Sequence, residues 1–569
     1  VALYRWQLLT PGDLVNKTMV NIEIPVGNEK SRLYRFFEML PAVLSYGALI
    51  LLVVLSLINP LFAGIYLLII IITLLVKAIG IAFHTILGHK RLVAAQKVDW
   101  HSRLEDLTSP NQAIECQSKA IDRGFHSSIH LANLHKIAAD PTSYPKQSEV
   151  YNAVIVATWN ESYDILAPTI KAVLNGTYDP KKIILVFAYE ERGGPQTEAT
   201  AYRLQKEFGH RFHSFHLVSH PDGLPNELVG KGSNITCGGR YLQKWLSGQD
   251  IDPKNVIVTT LDSDNRPYKS YFDYVTYEFI VHKDRKHYAF QPVSLFLNNI
   301  WDAPAPMRVI ATGNSFWNII SSMRPHTLRN FASHSQPLDA LEEMNFWSTR
   351  TIVEDGHQYW RSYFHFNGDY TVIPIYVPIY QDAVLSDTLW KTLKAQFKQL
   401  RRWAYGASDV PYVATLLLNK GRKVPFIGGL ARLLRLIDSH ITLASVSIMV
   451  AVGGWVPLII NPEAVRSIEA QQLPEVISWI QRVAMIGLFI TVFLAFKMLP
   501  PRPERYKRTR SVAMIAQWVL MPFTAIIYSA MAALNSQGRL FLGLYLDKFD
   551  ITEKATHKSV ARAKQAKKQ

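Results

Sequence analysis

The chain has 569 residues, with 61 lysines and arginines against 45 aspartates and glutamates; its net charge is +16, yet only 19% of residues are charged and 49% are apolar. That balance excludes a disordered chain and leaves room for several folding units. Two cysteines, Cys116 and Cys237, exclude a disulfide framework and fit a reducing compartment.

The first signals along the chain are apolar. Residues 40–57 carry no charge, Asn59 and Pro60 interrupt, and residues 61–76 continue uncharged into a Leu- and Ile-rich run that ends at Phe83. Each piece is close to the roughly 20 residues a helix needs to cross a bilayer. A late start and a second run beside it argue against a cleaved signal peptide. Three further candidates lie at residues 437–460, 476–496 and 512–534. Lys90 and Arg91 follow the second run, and Arg502, Arg505, Lys507, Arg508 and Arg510 lie between the last two candidates. The positive-inside rule therefore predicts that residues 90–435, which have the composition of a soluble domain, are cytoplasmic. Because the basic residues gather beside membrane segments, membrane lipid is the expected partner of the +16 charge and nucleic acid is not. Three late crossings would leave the basic tail from Asn535, with Lys548, Lys554, Lys558, Arg562, Lys564, Lys567 and Lys568, outside. Either one late segment is re-entrant, with Pro522 as its break, or the tail is external.

Within the aqueous stretch, residues 150–158 (VYNAVIVAT) read as a strand, followed by Trp159, Asn160 and Glu161 and an amphipathic helix over 163–174. Strands at 182–189, 214–219 and 255–261, with helices at 197–208 and 233–245, repeat the pattern. Such alternation predicts a parallel sheet with helices on both faces. Ligands of such sheets bind beyond the carboxyl ends of the strands, where Thr158, Asn160 and Glu161, then Glu190, Glu191 and Arg192, then Asp262, Ser263 and Asp264 stand. The pair Asp262 and Asp264 suits a hard divalent cation that also holds phosphate oxygens. A P-loop is excluded around Gly230-Lys231, because Pro225 replaces its first glycine and Gly232 its serine or threonine.

Further on, Glu354 and Asp355 follow a β-branched run, and one such carboxylate near an acceptor hydroxyl is what a general base needs. Residues 386–405 then place Leu389, Leu393, Phe397, Leu400 and Ala404 at helical spacing with lysines on other faces, the pattern of a helix in the membrane interface. Gln399, Arg402 and Trp403 fall at i, i+3 and i+4 and share a face. The arginine suits a phosphate and the tryptophan a sugar ring.

In order, these segments resemble the membrane-integrated glycosyltransferases of family 2, the group of cellulose, chitin and hyaluronan synthases. Thr158-Trp159-Asn160-Glu161 is similar to the family's T-Y-N-E, Lys231-Gly232-Ser233-Asn234 to its K-A-G-N, Asp262-Ser263-Asp264 to its DxD, Glu354-Asp355 to its T-E-D and Gln399 to Trp403 to its QxxRW. Phe549, Ile551, Thr552 and Lys554 resemble its FxVTxK gating loop, a cytoplasmic element that favours the re-entrant alternative. Glu190 and Glu191 depart from the family's Asp-Asp pair, and Val353 from its threonine.

The resemblance implies a GT-A-like α/β domain inserted between transmembrane helices in the cell (plasma) membrane. It implies a nucleotide-sugar donor, with a UDP-sugar as the first expectation, and a Mg²⁺ or Mn²⁺ ion at Asp264 and Asp262. Thr158, Asn160, Glu161, Glu190, Glu191, Lys231, Gln399 and Arg402 would hold the donor, Asp355 would act as base beside Glu354, and Trp403, Gly313, Asn314 and Ser315 would line the acceptor site. The expected organisation is a cytoplasmic segment to residue 38, two helices over 39–86, a linker over 87–145, the transferase domain over 146–385, interface helices over 386–435, membrane segments over 436–534 and a gating motif with basic tail over 535–569. QxxRW is associated with processive synthesis; a single-addition enzyme acting on a lipid-linked acceptor is the alternative, and an accessory subunit or oligomer has a place in either. Loss of Asp264 or Asp355 would mark a non-catalytic assembly or export partner, and both are present.

Overall fold

The computed structural model describes residues 21–119 and 124–547. The gating-loop residues Phe549, Ile551, Thr552 and Lys554 and the basic tail lie outside the described residues.

Eight strands form one sheet: β1 (Tyr151–Thr158), β2 (Ile183–Glu190), β3 (Ser214–His220), β4 (Val256–Asp262), β5 (Arg266–Pro267), β6 (Tyr288–Leu295), β7 (Ser335–Pro337) and β8 (Thr371–Tyr380). Their order is β3-β2-β1-β4-β7-β6-β8-β5. The four strands read from β-branched runs are the parallel half. The other half is mixed: β7 is antiparallel to β4 and β6, and β5 to β8, while β6 and β8 are parallel. Its strands are short or carry prolines, and Pro374 and Pro378 deny β8 two backbone donors.

Helices cover both faces of the parallel half. Val154 and Val156 of β1 and Leu185 and Phe187 of β2 pack on the helices Tyr163–Leu174 and Gly194–Phe208. Their neighbours Ala153, Ile155, Ile184, Val186 and Ala188 point the other way, on the helix Lys231–Leu246. The period-2 alternation thus feeds two separate cores. A Cβ on Gly238 would stand 3.2 Å from Ile155 and 3.4 Å from Ala188, so the third helix lies close on a small-residue surface.

Among the described residues four helices are long and apolar enough to cross a membrane: Arg32–Ile58, Pro60–Gln96, Phe426–Ile460 and Thr509–Leu542. The remaining late candidate falls in the helix Ile468–Met498, whose Leu473 and Ile477 pack against Ala63 and Leu67 of the second of these. Pro522 does not reverse the chain. It sits at the start of Met521–Thr524, and a 3₁₀ turn before it (Gln517–Leu520) and a π turn after it (Ala525–Ala530) absorb its missing donor inside one continuous helix. The apolar face of Leu389–Ala404 also differs from expectation. Leu393, Phe397 and Leu400 pack against a cluster holding Leu494, Ala495, Met514 and Trp518, so that neighbouring helices take much of the face assigned to lipid.

One side chain joins the carboxyl ends of two strands. The Nδ2 of Asn234, 1% exposed, donates to the carbonyls of Thr158 at 3.1 Å and Ala188 at 3.0 Å. Asn234→Ala should leave both carbonyls buried without that donor and cost about 1–3 kcal/mol, seen as a lower thermal midpoint of the purified chain; an unchanged midpoint would show that the two strand ends hold without it.

Candidate active site

The register of the parallel half brings the chemistry to one edge. Ala157 pairs with Asp262, Thr158 with Tyr189 and Glu190 with His220, so the residues that end β1, β2, β3 and β4 emerge side by side. Glu161 turns back on the first of these ends. Its carboxylate accepts from Thr158 Oγ1 at 2.7 Å, Trp159 N–H at 2.9 Å and Ser263 Oγ at 3.0 Å. Glu161 therefore ties the loop after β1 to the Asp262-Ser263-Asp264 turn, while Asn160 beside it is exposed.

Lys231, the first residue of its helix, reaches the centre. Its Nζ lies 2.9 Å from Asp262 Oδ1, 3.2 and 3.1 Å from the two oxygens of Asp355 and 3.8 Å from Glu354 Oε1. Burial pulls the ammonium's pKa down, but Asp262, Asp355 and Glu354 outweigh it and the net direction is up. Glu354 is 3% exposed; burial and the neighbouring Asp355 push its carboxyl up to about 8, against the pull of Lys231 and Arg402. Both acids begin the helix Glu354–His365, and the β-branched run ahead of them is an irregular loop. Gly232 admits that loop: a Cβ there would stand 2.9 Å from the carbonyl of Ser348 and 3.1 Å from Glu354 Cβ.

Asp264 is tethered to the other half of the sheet. Its Oδ2 accepts from Asp382 N–H at 3.1 Å, just beyond β8, and its carbonyl from Asn298 Nδ2 at 3.0 Å. The remaining predicted positions separate by surroundings. Glu190 is buried and ion-paired with Arg192, whose guanidinium lies 4.7 Å from the centre of the Trp159 ring. Glu191 is exposed and accepts from Asp222 N–H at 3.2 Å. A Cβ on Gly193 would overlap the Trp159 carbonyl at 2.0 Å, which keeps these two loops in contact. Glu190 and Arg192, with His220, Asp222 and Glu227, border a small open pocket.

On the other side, Gln399 accepts from Gln396 Nε2 at 3.1 Å, Arg402 acts electrostatically on Glu354, and Trp403 is 40% exposed with its ring 6.0 Å from that of Phe296. Gly313 faces open space and Asn314 is half-buried on the helix Ala305–Ser322. Ser315 is buried; its hydroxyl accepts from Phe296 N–H at 2.9 Å and donates to the Ala311 carbonyl at 2.9 Å, so it holds the Phe296 backbone.

Sequence reasoning did not single out His220, Glu227, His334 or Asp382. The first was within reach, since it ends β3 in register with Glu190. His334 lies behind Asp355, 3.9 Å from Oδ1. Its Nδ1 faces the Phe331 carbonyl at 2.9 Å and its Nε2 accepts from Trp347 Nε1 at 3.2 Å, which assigns a neutral ring with the proton on Nδ1. Burial lowers its pKa in the same sense, against the pull of Asp355.

The chain matches no protein-family model and no curated protein. Among solved structures it is similar to the mannosyltransferase PcManGT from Pyrobaculum calidifontis in complex with GDP-Man and Mn²⁺, at 14% identity over 73% of this chain and 98% of that one, with a TM-score of 0.36. It is also similar to residues 1–349 of S. aureus TarS, at 10% identity over 70% of this chain and 93% of that one, with a TM-score of 0.32. The same piece of TarS in complex with UDP-GlcNAc gives 10% identity and 0.33.

Glu354 gives the site a pH signature. Folded, it keeps its proton up to about 8, whereas the unfolded chain releases it near 4.5. The folded state thus binds more protons between those values, and stability falls as pH rises through that window. In Glu354→Gln the thermal midpoint should vary less than the wild type's over the same window; parallel pH profiles would show that Glu354 does not carry the dependence.

Proposed function

We propose that the chain is a membrane-bound inverting glycosyltransferase that moves a sugar from a nucleotide-sugar donor onto a growing polysaccharide, with its catalytic domain on the cytoplasmic side of the cell membrane. The observation that carries this reading is the convergence of Lys231, Asp262, Glu354 and Asp355 at the carboxyl edge of a parallel half-sheet, with Asp264 in the same turn. Two carboxylates of one turn, both hard oxygen donors, are too few to cage an ion and fit a Mg²⁺ or Mn²⁺ ion completed by phosphate oxygens. No cluster of three or more metal-ligating side chains occurs among the described residues. Asp262 and Asp264 would hold the ion, which supplies positive charge for the leaving diphosphate.

Asp355 takes the proton of the acceptor hydroxyl as that oxygen bonds to the anomeric carbon; the bond from this carbon to the diphosphate breaks on the opposite face, and the configuration inverts. Lys231, bonded to both oxygens of Asp355, fixes the direction of that carboxylate. Lys231 and Arg402 set positive charge beside the diphosphate, which lowers the cost of charge developing there. Trp403, half open beside Phe296, offers the acceptor sugar an apolar platform.

Asp264→Asn should abolish transfer and weaken metal-dependent nucleotide binding without loss of folding. Asp355→Asn should keep nucleotide binding and lose about 10²- to 10⁴-fold in kcat. Assays of the purified chain with a panel of nucleotide sugars decide both, and full turnover by either variant would remove the role assigned to it.

Arg402 and Trp403 should fail differently. Arg402→Ala should slow transfer and also any hydrolysis of the donor by water, whereas Trp403→Ala should spare hydrolysis and lose transfer to sugar. Nucleotide release with and without acceptor separates them, and parallel losses would contradict the division of labour. Wild-type products one sugar long, on a lipid, would replace polymer synthesis by single addition.

A further inference from the structure

The loop of residues 348–353 that delivers Glu354 and Asp355 has no regular structure of its own, so something else must hold it. One wall is the segment ahead of Lys231, where Leu228 N–H donates to the Thr349 carbonyl at 2.8 Å. A second is the cluster of Tyr405, Ala407, Leu540 and Leu546 around Ile352, and a third is the chain just before the first membrane-length helix. There Glu23 accepts from Ser348 Oγ at 3.3 Å, and Arg350 NH1 donates to the Ile24 carbonyl at 3.0 Å and to Glu29 at 3.3 Å. Tyr412 Oη donates to the Ile22 carbonyl at 2.9 Å, while Ile22 and Ile24 pack against a cluster that includes Tyr359 and Tyr363.

Glu23 has a second contact with greater reach. It pairs with the guanidinium of Arg361, which is fully buried in the helix Glu354–His365. The other partners of Arg361 are the carbonyls of Phe346 and Met344 and the side-chain oxygen of Gln358, all uncharged. Glu23 is the only carboxylate paired with it among the described residues. A buried charge that loses its counter-ion moves or drags its surroundings with it, and a helix moves as a rigid unit. Arg361 and Asp355 are on the same helix, six residues apart, or about 9 Å at 1.5 Å per residue.

We propose that residues 21–29 are a positioning strap, in which Glu23, through Arg361, sets the place of the Glu354–His365 helix and so of the Asp355 carboxylate. The role in turnover rests on the reading of Asp355 as the base. The strap's hydrogen bonds and its ion pair go to the 348–353 loop, Arg361 and Tyr412, which carry or flank the Asp355 helix, so its loss acts on the chemical step. A misplacement on the order of 1 Å at a reacting group is enough to cost about 100-fold in rate.

The test is Glu23→Ala in the full chain, with Glu23→Gln as the milder change that keeps the hydrogen-bond acceptor and removes the charge. Hydrogen exchange should accelerate in residues 348–365 and stay unchanged in residues 231–246. The kcat should fall about 10- to 100-fold with an unchanged donor KM, and Glu23→Gln should lie between Glu23→Ala and the wild type. Should Glu23→Ala not fold, Glu23→Gln decides by the same two readouts. A wild-type kcat, a change confined to KM, or exchange that rises equally across both segments would overturn the strap. A wild-type chain that transfers sugar from no nucleotide sugar would instead refute the transferase reading, and hydrogen exchange alone would then decide whether the strap exists.

Discussion

A single buried ammonium constrains the arrangement of the site. Lys231 is surrounded by Asp262, Glu354 and Asp355, carried by the end of a strand and the first turn of a helix more than a hundred residues away from it. A charge in so little water is stable only with ionic partners in good geometry. Its position makes the demand sharper: a cation on the first residue of a helix stands at the positive end of the helix dipole, where it is disfavoured. Asp355, in the first turn of the facing helix, is at its own favoured end. Each helix thus meets the other through its N-terminal turn, and Asp262 and Asp355 offset both the burial of Lys231 and its unfavourable place on its helix.

This constraint explains why the sheet must be in register at its carboxyl edge. Asp262 can reach Lys231 only if β4 ends level with β1, and Asn234, one turn along the lysine's helix, binds the carbonyls of Thr158 and Ala188 to keep β1 and β2 level as well. Glu161 then fixes the Ser263 side of the same turn. One oxygen of Asp264 accepts from Asp382 N–H, beyond β8, so the turn between the two aspartates is where the parallel half meets the mixed half.

The parts legible in the sequence were those governed by short-range periodicity. The first four strands and the helices at 163–174 and 231–246 follow from β-branched runs and apolar spacing, and their positions differ from expectation by a residue or two. The mixed half was not legible. β5 has two residues and β7 three, and β8 interleaves prolines with its β-branched residues, so its pairing is decided by partners distant in the chain. The same limit applies to the site. Glu354 and Asp355 stood out as adjacent acids, yet that both face Lys231, or that Glu23 reaches Arg361 across 338 positions, depends on contacts no local pattern encodes. Ser315 shows the opposite error of scale: a small polar residue in a suggestive motif is, in the fold, a buried support for the Phe296 backbone.

The two sides of the site are built on different foundations, and this bears on how an acceptor would be held. The side with Lys231 is formed by the ends of strands whose residues are almost wholly buried, so its geometry is set by the half-sheet. The other side, with Trp403 and Gly313, stands on two helices, which share with Phe296 one apolar cluster that includes Leu494, Ala495, Met514 and Trp518 of the two late helical segments. Arg402 and Trp403 lie on one helix, and Arg402 acts on Glu354, so whatever displaces that helix through Leu393, Phe397 and Leu400 reaches both sides of the site, because packed interiors move as units rather than deform.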